Sequence, residues 1–400
     1  MINFNSVGAA KEKRQSFIVT SIIPLIALAV VTQLYILLPV VNVMAQLLKI
    51  NSEQTGLLTT LFGIFYAVGF LLWGAMSDKY GREKIIIAGL AGLAIITAMI
   101  SFTNNYQALL IMRCVQGFIA SSYPPVILVW VAENYSDKSK KLLVSFLSCS
   151  FLLAGTLGQL YGVAMIENSL MKSMLFLSLI YFLGSLIFLF KTEKKSKDNL
   201  NKEINIKLLI LNLINALKDK NLSYIYISCF FVLMSFVSIY YSLISGRINN
   251  HLDKFNIELL RNVATLGMLT CLISGRLFKL MHPLKLLAIS LFLMSITLLL
   301  QFLFIKNWNT HYMMPLLIIH TIFSSMVSLA IPSMITCTTL FSNKTNRGSS
   351  ISLYTCILFI GASLGSYLPG IINTTWFFIL VSFLLIIISL RIFFIKHTVS

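Results

Sequence analysis

Arg113 interrupts the apolar run "LLIMRCVQGFIASSYPP". A permanent charge deep in a membrane costs about 2.5–3.5 kcal/mol even on the lenient insertion scale, so this side chain must face protein or a water-filled cavity. Two chemistries fit it. Backbone carbonyls, tyrosines and Gln116 satisfy the guanidinium, or it awaits an anionic group on a bound molecule or takes part in ion coupling. All 13 Asp and Glu residues fall in polar segments or at the ends of apolar runs, so none is expected mid-membrane to neutralise it. His320, about eight residues inside another apolar run, is the one side chain there that ordinarily titrates near neutral pH; it suits a proton carrier or a hydrogen-bonded packing element. Gln33, Tyr35, Tyr123, Gln159, Tyr240 and Tyr354 are uncharged candidates for a cavity lining, with interfacial anchoring or helix packing as the alternative. No HExxH, phosphate loop, nucleophile elbow or paired Asp and His within the apolar runs is present, which argues against an enzyme. The six cysteines (Cys114, Cys149, Cys229, Cys271, Cys337, Cys356) lack paired spacing and read as core packing, not as a disulfide framework or metal cluster. Neither metal nor cofactor is expected.

The elements that hold these residues must be transmembrane helices. Of 400 residues 58% are hydrophobic and 11% charged, too little polar surface for a soluble globule of this size. Apolar runs of about 20 residues, enough to cross ~30 Å of hydrocarbon, recur twelve times. They predict spans at 17–40, 54–75, 85–103, 107–132, 142–165, 171–190, 222–245, 259–280, 284–304, 312–334, 349–371 and 374–395. The first follows Lys11, Lys13 and Arg14 and lacks a small-residue cleavage site, so it reads as a retained anchor. The expected organisation is a cytoplasmic head (1–16), a six-helix bundle (17–190), a polar linker (191–221), a second six-helix bundle (222–395) and a short tail (396–400) around a central cavity, as a monomer in the bilayer. Within the linker, "INIKLLILNLINALK" has the spacing of an amphipathic helix lying on the membrane face.

The net charge of +18 belongs to the connecting segments, so nucleic acid is not an expected partner. With the N-terminus inside, 24 of the 31 Lys and Arg residues fall in cytoplasmic segments, six in outer segments and one, Arg113, within a span. That bias predicts both termini in the cytoplasm, with the inner membrane as the location. The halves echo each other: "GAMSDKYGREK" returns 201 residues later as "GRLFKLMHPLK", and "TLGQLYG" returns 207 residues later as "SLGSYLPG". Pro124, Pro125, Pro332 and Pro369 mark spans able to bend.

Between spans two and three, "WGAMSDKYGREK" crowds Asp78, Lys79, Arg82, Glu83 and Lys84 into seven positions. Gly74 permits close helix approach, Gly81 frees the backbone, and Asp78 with Arg82 can hold helix ends together, so the loop reads as a latch and not merely as a solvated positive turn. Here the sequence resembles the major facilitator superfamily, whose signature Gly-x-Leu-x-Asp-Arg-x-Gly-Arg-Lys-x-Lys is met by Gly74, Asp78, Lys79, Gly81, Arg82 and Lys84; Met76 replaces the Leu and Glu83 a usually basic residue. "RCVQGFIASSYPP" matches that superfamily's fourth-span pattern Arg-x-x-Gln-Gly, which includes Gly117. "AGTLGQLYG", with Gly155, Gly158 and Gly162, is similar to the fifth-span glycine motif of the drug:proton antiporter branch, with Gln159 where proline is usual. The resemblance implies helix packing at these glycines. It also implies that Asp78 sits against the N-terminal end of span eleven and that Arg82 pairs with Glu133, stabilising an outward-facing state. It further implies a secondary transporter that exports a small organic molecule, a drug or an anionic or zwitterionic metabolite, with protons as the candidate coupling ion. Uptake of a nutrient or metabolite, and a receptor-like or scaffolding protein on a transporter fold, are the alternatives.

Overall fold

A computed structural model describes residues 21–135, 137–166, 169–191, 206–248, 253–342 and 347–394; the expected head at 1–16 and tail at 396–400 lie outside them. Twelve helices among these residues are long and apolar enough to cross a membrane: α1 (Ser21–Leu48), α2 (Gln54–Tyr80), α3 (Arg82–Ser101), α4 (Tyr106–Asn134), α5 (Phe146–Ile166), α6 (Leu170–Phe190), α7 (Leu222–Ile244), α8 (Phe255–Leu280), α9 (Pro283–Lys306), α10 (Met313–Phe341), α11 (Gly348–Ile371) and α12 (Thr374–Phe393). Each corresponds to one expected span. Among the described residues there is no strand, as expected where lipid cannot satisfy open backbone groups. The linker contains a helix at Ile206–Lys218, with Leu211, Ile214 and Leu217 exposed.

Local chemistry sets the helix ends. Three asparagines cap helices at one end of the molecule: Asn51 opens α2 through a capping box with Gln54, Asn105 accepts from the Ala108 N–H at the start of α4, and Asn373 accepts from Thr375 N at α12. At the opposite end Gly81, at φ +95°, turns α2 directly into α3, a conformation that a side chain would strain. Prolines act unequally. Pro124 and Pro125 lie at the start of a new helical segment, and α4 breaks into Tyr106–Ala120 and Tyr123–Asn134 just before them because their missing N–H groups cannot continue the ladder. Pro39 sits in one 3₁₀ turn, Leu38–Val40, after which α1 runs on to Leu48, past the expected end at 40. Pro332 is carried inside an uninterrupted α10, which reaches Phe341 where 334 was expected.

In the first half α3 lies on α6, α2 on α4, and α1 meets α5; in the second α9 lies between α10 and α12, α7 on α11 and α8 on α10. The halves meet where α2 faces α11, α5 faces α8 and α1 faces α7. Large apolar side chains are exposed on the outer helices, including Ile95 and Met99 on α3, Phe182 on α6, and Trp376 and Phe383 on α12. A hydrocarbon solvent makes such exposure free of the cost it carries in water.

Candidate functional site

Arg113 is completely buried and held by neutral oxygens on three helices. Its Nε donates to the Leu58 carbonyl of α2 at 3.3 Å, Nη2 to the Gln33 carbonyl of α1 at 2.9 Å, and Nη1 to Gln116 Oε1 at 2.7 Å and Gln33 Oε1 at 3.4 Å. The guanidinium also lies over the Phe62 ring, 4.1 Å from its centroid. Gln116 passes the network outward, its Nε2 donating to Thr97 Oγ1 of α3 at 2.8 Å. Sequence names Gln116 as a partner of Arg113 and Gln33 only as a cavity candidate; the contacts with Gln33, Leu58 and Phe62, and that of Gln116 with Thr97, enter only by folding. Of the tyrosines named as cavity candidates, Tyr123 donates to the Ile23 carbonyl and Tyr354 to that of Ile331, each within its own half.

His320 occupies the corresponding place in the second half. It lies 207 residues after Arg113, and its partner Tyr240 lies 207 residues after Gln33, the same offset as the glycine echo. His320 is buried on α10 with Nδ1 2.8 Å from Gln301 Oε1 of α9 and Nε2 2.7 Å from Tyr240 Oη of α7. A neutral ring that donates from Nδ1 and accepts the tyrosine O–H at Nε2 satisfies both contacts. Gln301 was missed in the sequence, although an amide inside "LLLQFLF" is a visible signal.

A second buried cation corrects the charge count. Arg261, at the outer edge of the expected span 259–280 and counted with the outer segments on sequence, is 4% exposed inside α8. Arg113 is therefore not the sole permanent charge within the spans. Arg261 is the third residue of that expected span, and assigning charge by the nearest membrane end counted it outside. No Asp or Glu is buried among the described residues.

Between the halves the contacts run from one end to the middle. Asn42 Nδ2 of α1 donates to the Ile244 carbonyl of α7 at 2.9 Å, and Thr60 Oγ1 of α2 lies 3.0 Å from both the Ser363 carbonyl and Ser366 Oγ of α11. Farther along α2, Tyr66 meets the Phe359 ring edge-on at 4.9 Å and Phe70 stacks on it at 5.3 Å. Tyr35 and Phe236 converge from α1 and α7 on Gly155 of α5. Gln159 donates back to the Gly155 carbonyl at 2.8 Å, and its Oε1 is buried without a hydrogen-bond partner, as are Tyr66 Oη and Gln33 Nε2. The remaining motif glycines pack within the first half. Gly117 faces the Phe62 carbonyl, and Gly158 and Gly162 face the backbone of Thr32 and Ile36.

At the other end the space opens: a Cβ added at Gly74, Gly275 or Gly348 would meet nothing within 4 Å. Arg82 pairs with Asp78, bonds Ser77, and lies 3.6 Å from Glu133 of α4, while Trp130 Nε1 donates to Glu83 Oε1 at 3.1 Å. The implied Arg82–Glu133 pair is thus present, but in a conformation read below as inward-facing and not in the outward-facing state it was implied to stabilise. The implied seat of Asp78 on α11 is not seen in this conformation: its ion-pair partner among the described residues is Arg82, and Asp78 is exposed.

A profile of the Major Facilitator Superfamily matches residues 24–336. Over 129 residues the chain is 29% identical to a triacylglyceride transporter of Mycolicibacterium smegmatis, covering 32% of this chain and 23% of that protein. Over 111 residues it is 27% identical to the bacillibactin exporter of Bacillus subtilis, covering 26% and 28%. An uncharacterized transporter of Buchnera aphidicola subsp. Baizongia pistaciae aligns at 22% identity over 347 residues, 84% of this chain and 82% of that protein. The alignments to the first two span about a quarter of those relatives' length. A profile that reaches from the first helix into the tenth, on twelve membrane-length helices in two echoing halves, shows that the chain belongs to the Major Facilitator Superfamily.

Proposed function

We propose that this transporter exports a small organic molecule by alternating access, with the halves rocking about the seam between α2, α5 and α1 on one side and α11, α8 and α7 on the other. The observation that carries the reading is the unequal closure of that seam: hydrogen-bonded and aromatic contacts at the Asn42 end, open space around Gly74, Gly275 and Gly348 at the Asp78 end. Loop charge places the Asp78 end in the cytoplasm, so this conformation faces inward. Closing that end would carry Asp78 toward the N-terminus of α11, where the partial positive charge of the helix favours a carboxylate. The name of the Bacillus subtilis relative lends support to export.

An anionic or zwitterionic substrate is favoured by a buried Arg113 whose described partners are all neutral, in a protein with no buried Asp or Glu among the described residues. Such a substrate would have to replace one of the glutamine oxygens that now hold the guanidinium. Protons are the proposed coupling ion, with His320 as the group that would carry them. The test is an untargeted comparison of metabolites inside and outside cells with and without the protein, followed by counterflow of each candidate in right-side-out and inside-out vesicles. Accumulation inside cells lacking the protein, with counterflow restored by adding it, is expected. Depletion inside those cells instead, or no counterflow of any differing metabolite, would overturn export.

A further inference from the structure

Two cysteines from opposite halves meet at the inner edge of the seam. Cys149 of α5 and Cys271 of α8 lie against each other in a small apolar cluster with Leu152, Leu153 and Ile331, and both thiols are free. The other cysteines differ. Cys229 and Cys337 are completely buried, and both belong to the second half, whereas Cys149 and Cys271 remain 8% and 9% exposed. Beyond this pair, toward the Asp78 end, Phe146 of α5 and Leu280 of α8 are exposed.

We propose that Cys149 and Cys271 form an oxidation site, a dithiol that closes to a disulfide and staples the first half of the transporter to the second. The reagent class is a small uncharged peroxide, able to reach thiols that are 8% and 9% exposed within an apolar cluster. One thiol, as its thiolate, attacks a peroxide oxygen; the O–O bond breaks, leaving a sulfenic acid on that cysteine and hydroxide, which takes up the displaced thiol proton as water. The sulfur of the second cysteine then attacks the sulfenic sulfur, the S–S bond forms, and a second hydroxide leaves and is protonated by the second thiol's proton. Two thiols and one hydrogen peroxide thus give one disulfide and two waters, with both sulfurs oxidised and both peroxide oxygens reduced. A disulfide confines the two Cα atoms to about 4.4–6.8 Å, so α5 and α8 could no longer separate at this point. In a reducing cytoplasm the pair stays open, and oxidant exposure closes it. The chemistry is independent of which molecule is transported; its consequence for the transport cycle rests on the alternating-access reading.

The test uses the full chain in native membranes with a specific protease site inserted between residues 192 and 205, so that cleavage separates the two halves. After hydrogen peroxide treatment and cleavage, the wild-type protein should run as one species near the full 44.9 kDa without reductant and as two halves with it. Cys149→Ala and Cys271→Ala should give two halves in both lanes, while Cys229→Ala with Cys337→Ala should behave as wild type. A peptide pair joined through Cys149 and Cys271 should appear by mass spectrometry of the oxidised wild type, a readout that needs no variant. Two halves from oxidised wild type without reductant, or a retained full-length species in Cys149→Ala, would overturn the proposal.

Discussion

Thr60→Ala set against Thr60→Ser isolates one hydroxyl at the seam. Thr60 Oγ1 lies 3.0 Å from the Ser363 carbonyl and from Ser366 Oγ across the seam, and 3.0 Å from the Gly56 carbonyl of its own helix. Ser366 Oγ donates to the Ser363 carbonyl at 2.7 Å, so loss of the Thr60 hydroxyl orphans no buried donor. The hydroxyl has a single hydrogen and counts as one cross-half bond, worth about 1 kcal/mol net of its exchange with water. Both variants lose the same methyl, about 0.8 kcal/mol of burial, which cancels between them. About 1 kcal/mol in favour of opening therefore separates Thr60→Ala from Thr60→Ser, roughly a fivefold difference in the ratio of the two conformations. Spin labels at Gln46→Cys on α1 and Asn307→Cys beyond α9, both exposed at this end, would report the ratio by pulsed dipolar distance measurement. The long-distance fraction should be severalfold higher in Thr60→Ala than in Thr60→Ser. Identical distributions for the two variants would refute the assignment of this hydroxyl as a restraint on opening.

Gly117→Ala would drive a methyl into the Phe62 backbone carbonyl, so a loss of about 1–3 kcal/mol is expected in thermal unfolding, whereas Gly155→Ala meets the Phe236 ring edge at 3.3 Å and should cost less. Arg113→Met should be tolerated far better in folded yield than Arg113→Ala, because a long apolar side chain fills the space while truncation leaves a cavity beside Phe62; substrate binding, once a substrate is known, should be lost in both. Arg82→Ala should leave expression unchanged, since its exposed pairs with Asp78 and Glu133 are each worth at most about 1 kcal/mol, and should slow transport relative to Lys79→Ala in vesicles. His320→Leu strips partners from both Gln301 and Tyr240 and should lower the unfolding temperature more than His320→Gln, which can still serve one of them.

Much of this protein is written locally. Each span announces itself because hydrocarbon tolerates only apolar, internally hydrogen-bonded backbone, and the turn at Gly81 announces itself because charge is excluded from the spans it joins. The demand of Arg113 for internal acceptors was equally legible, since no nearby acid could neutralise it. Which acceptors it takes was not: Gln33 lies 80 residues away and Leu58 lies 55. The meeting of Tyr240 with His320, the contact of Cys149 with Cys271, the inward fold of Arg261 and the opening around Gly74 are decisions of the same kind. In water, the apolar stripe of a helix tells which face turns inward. Here lipid and protein interior are alike apolar, and a helix such as α9 is greasy on every side, so hydrophobicity loses its power to orient. Rotation and partner are then set by packing of small residues and by the need of each buried polar atom for a counterpart on another helix, conditions that exist only once the chain has folded.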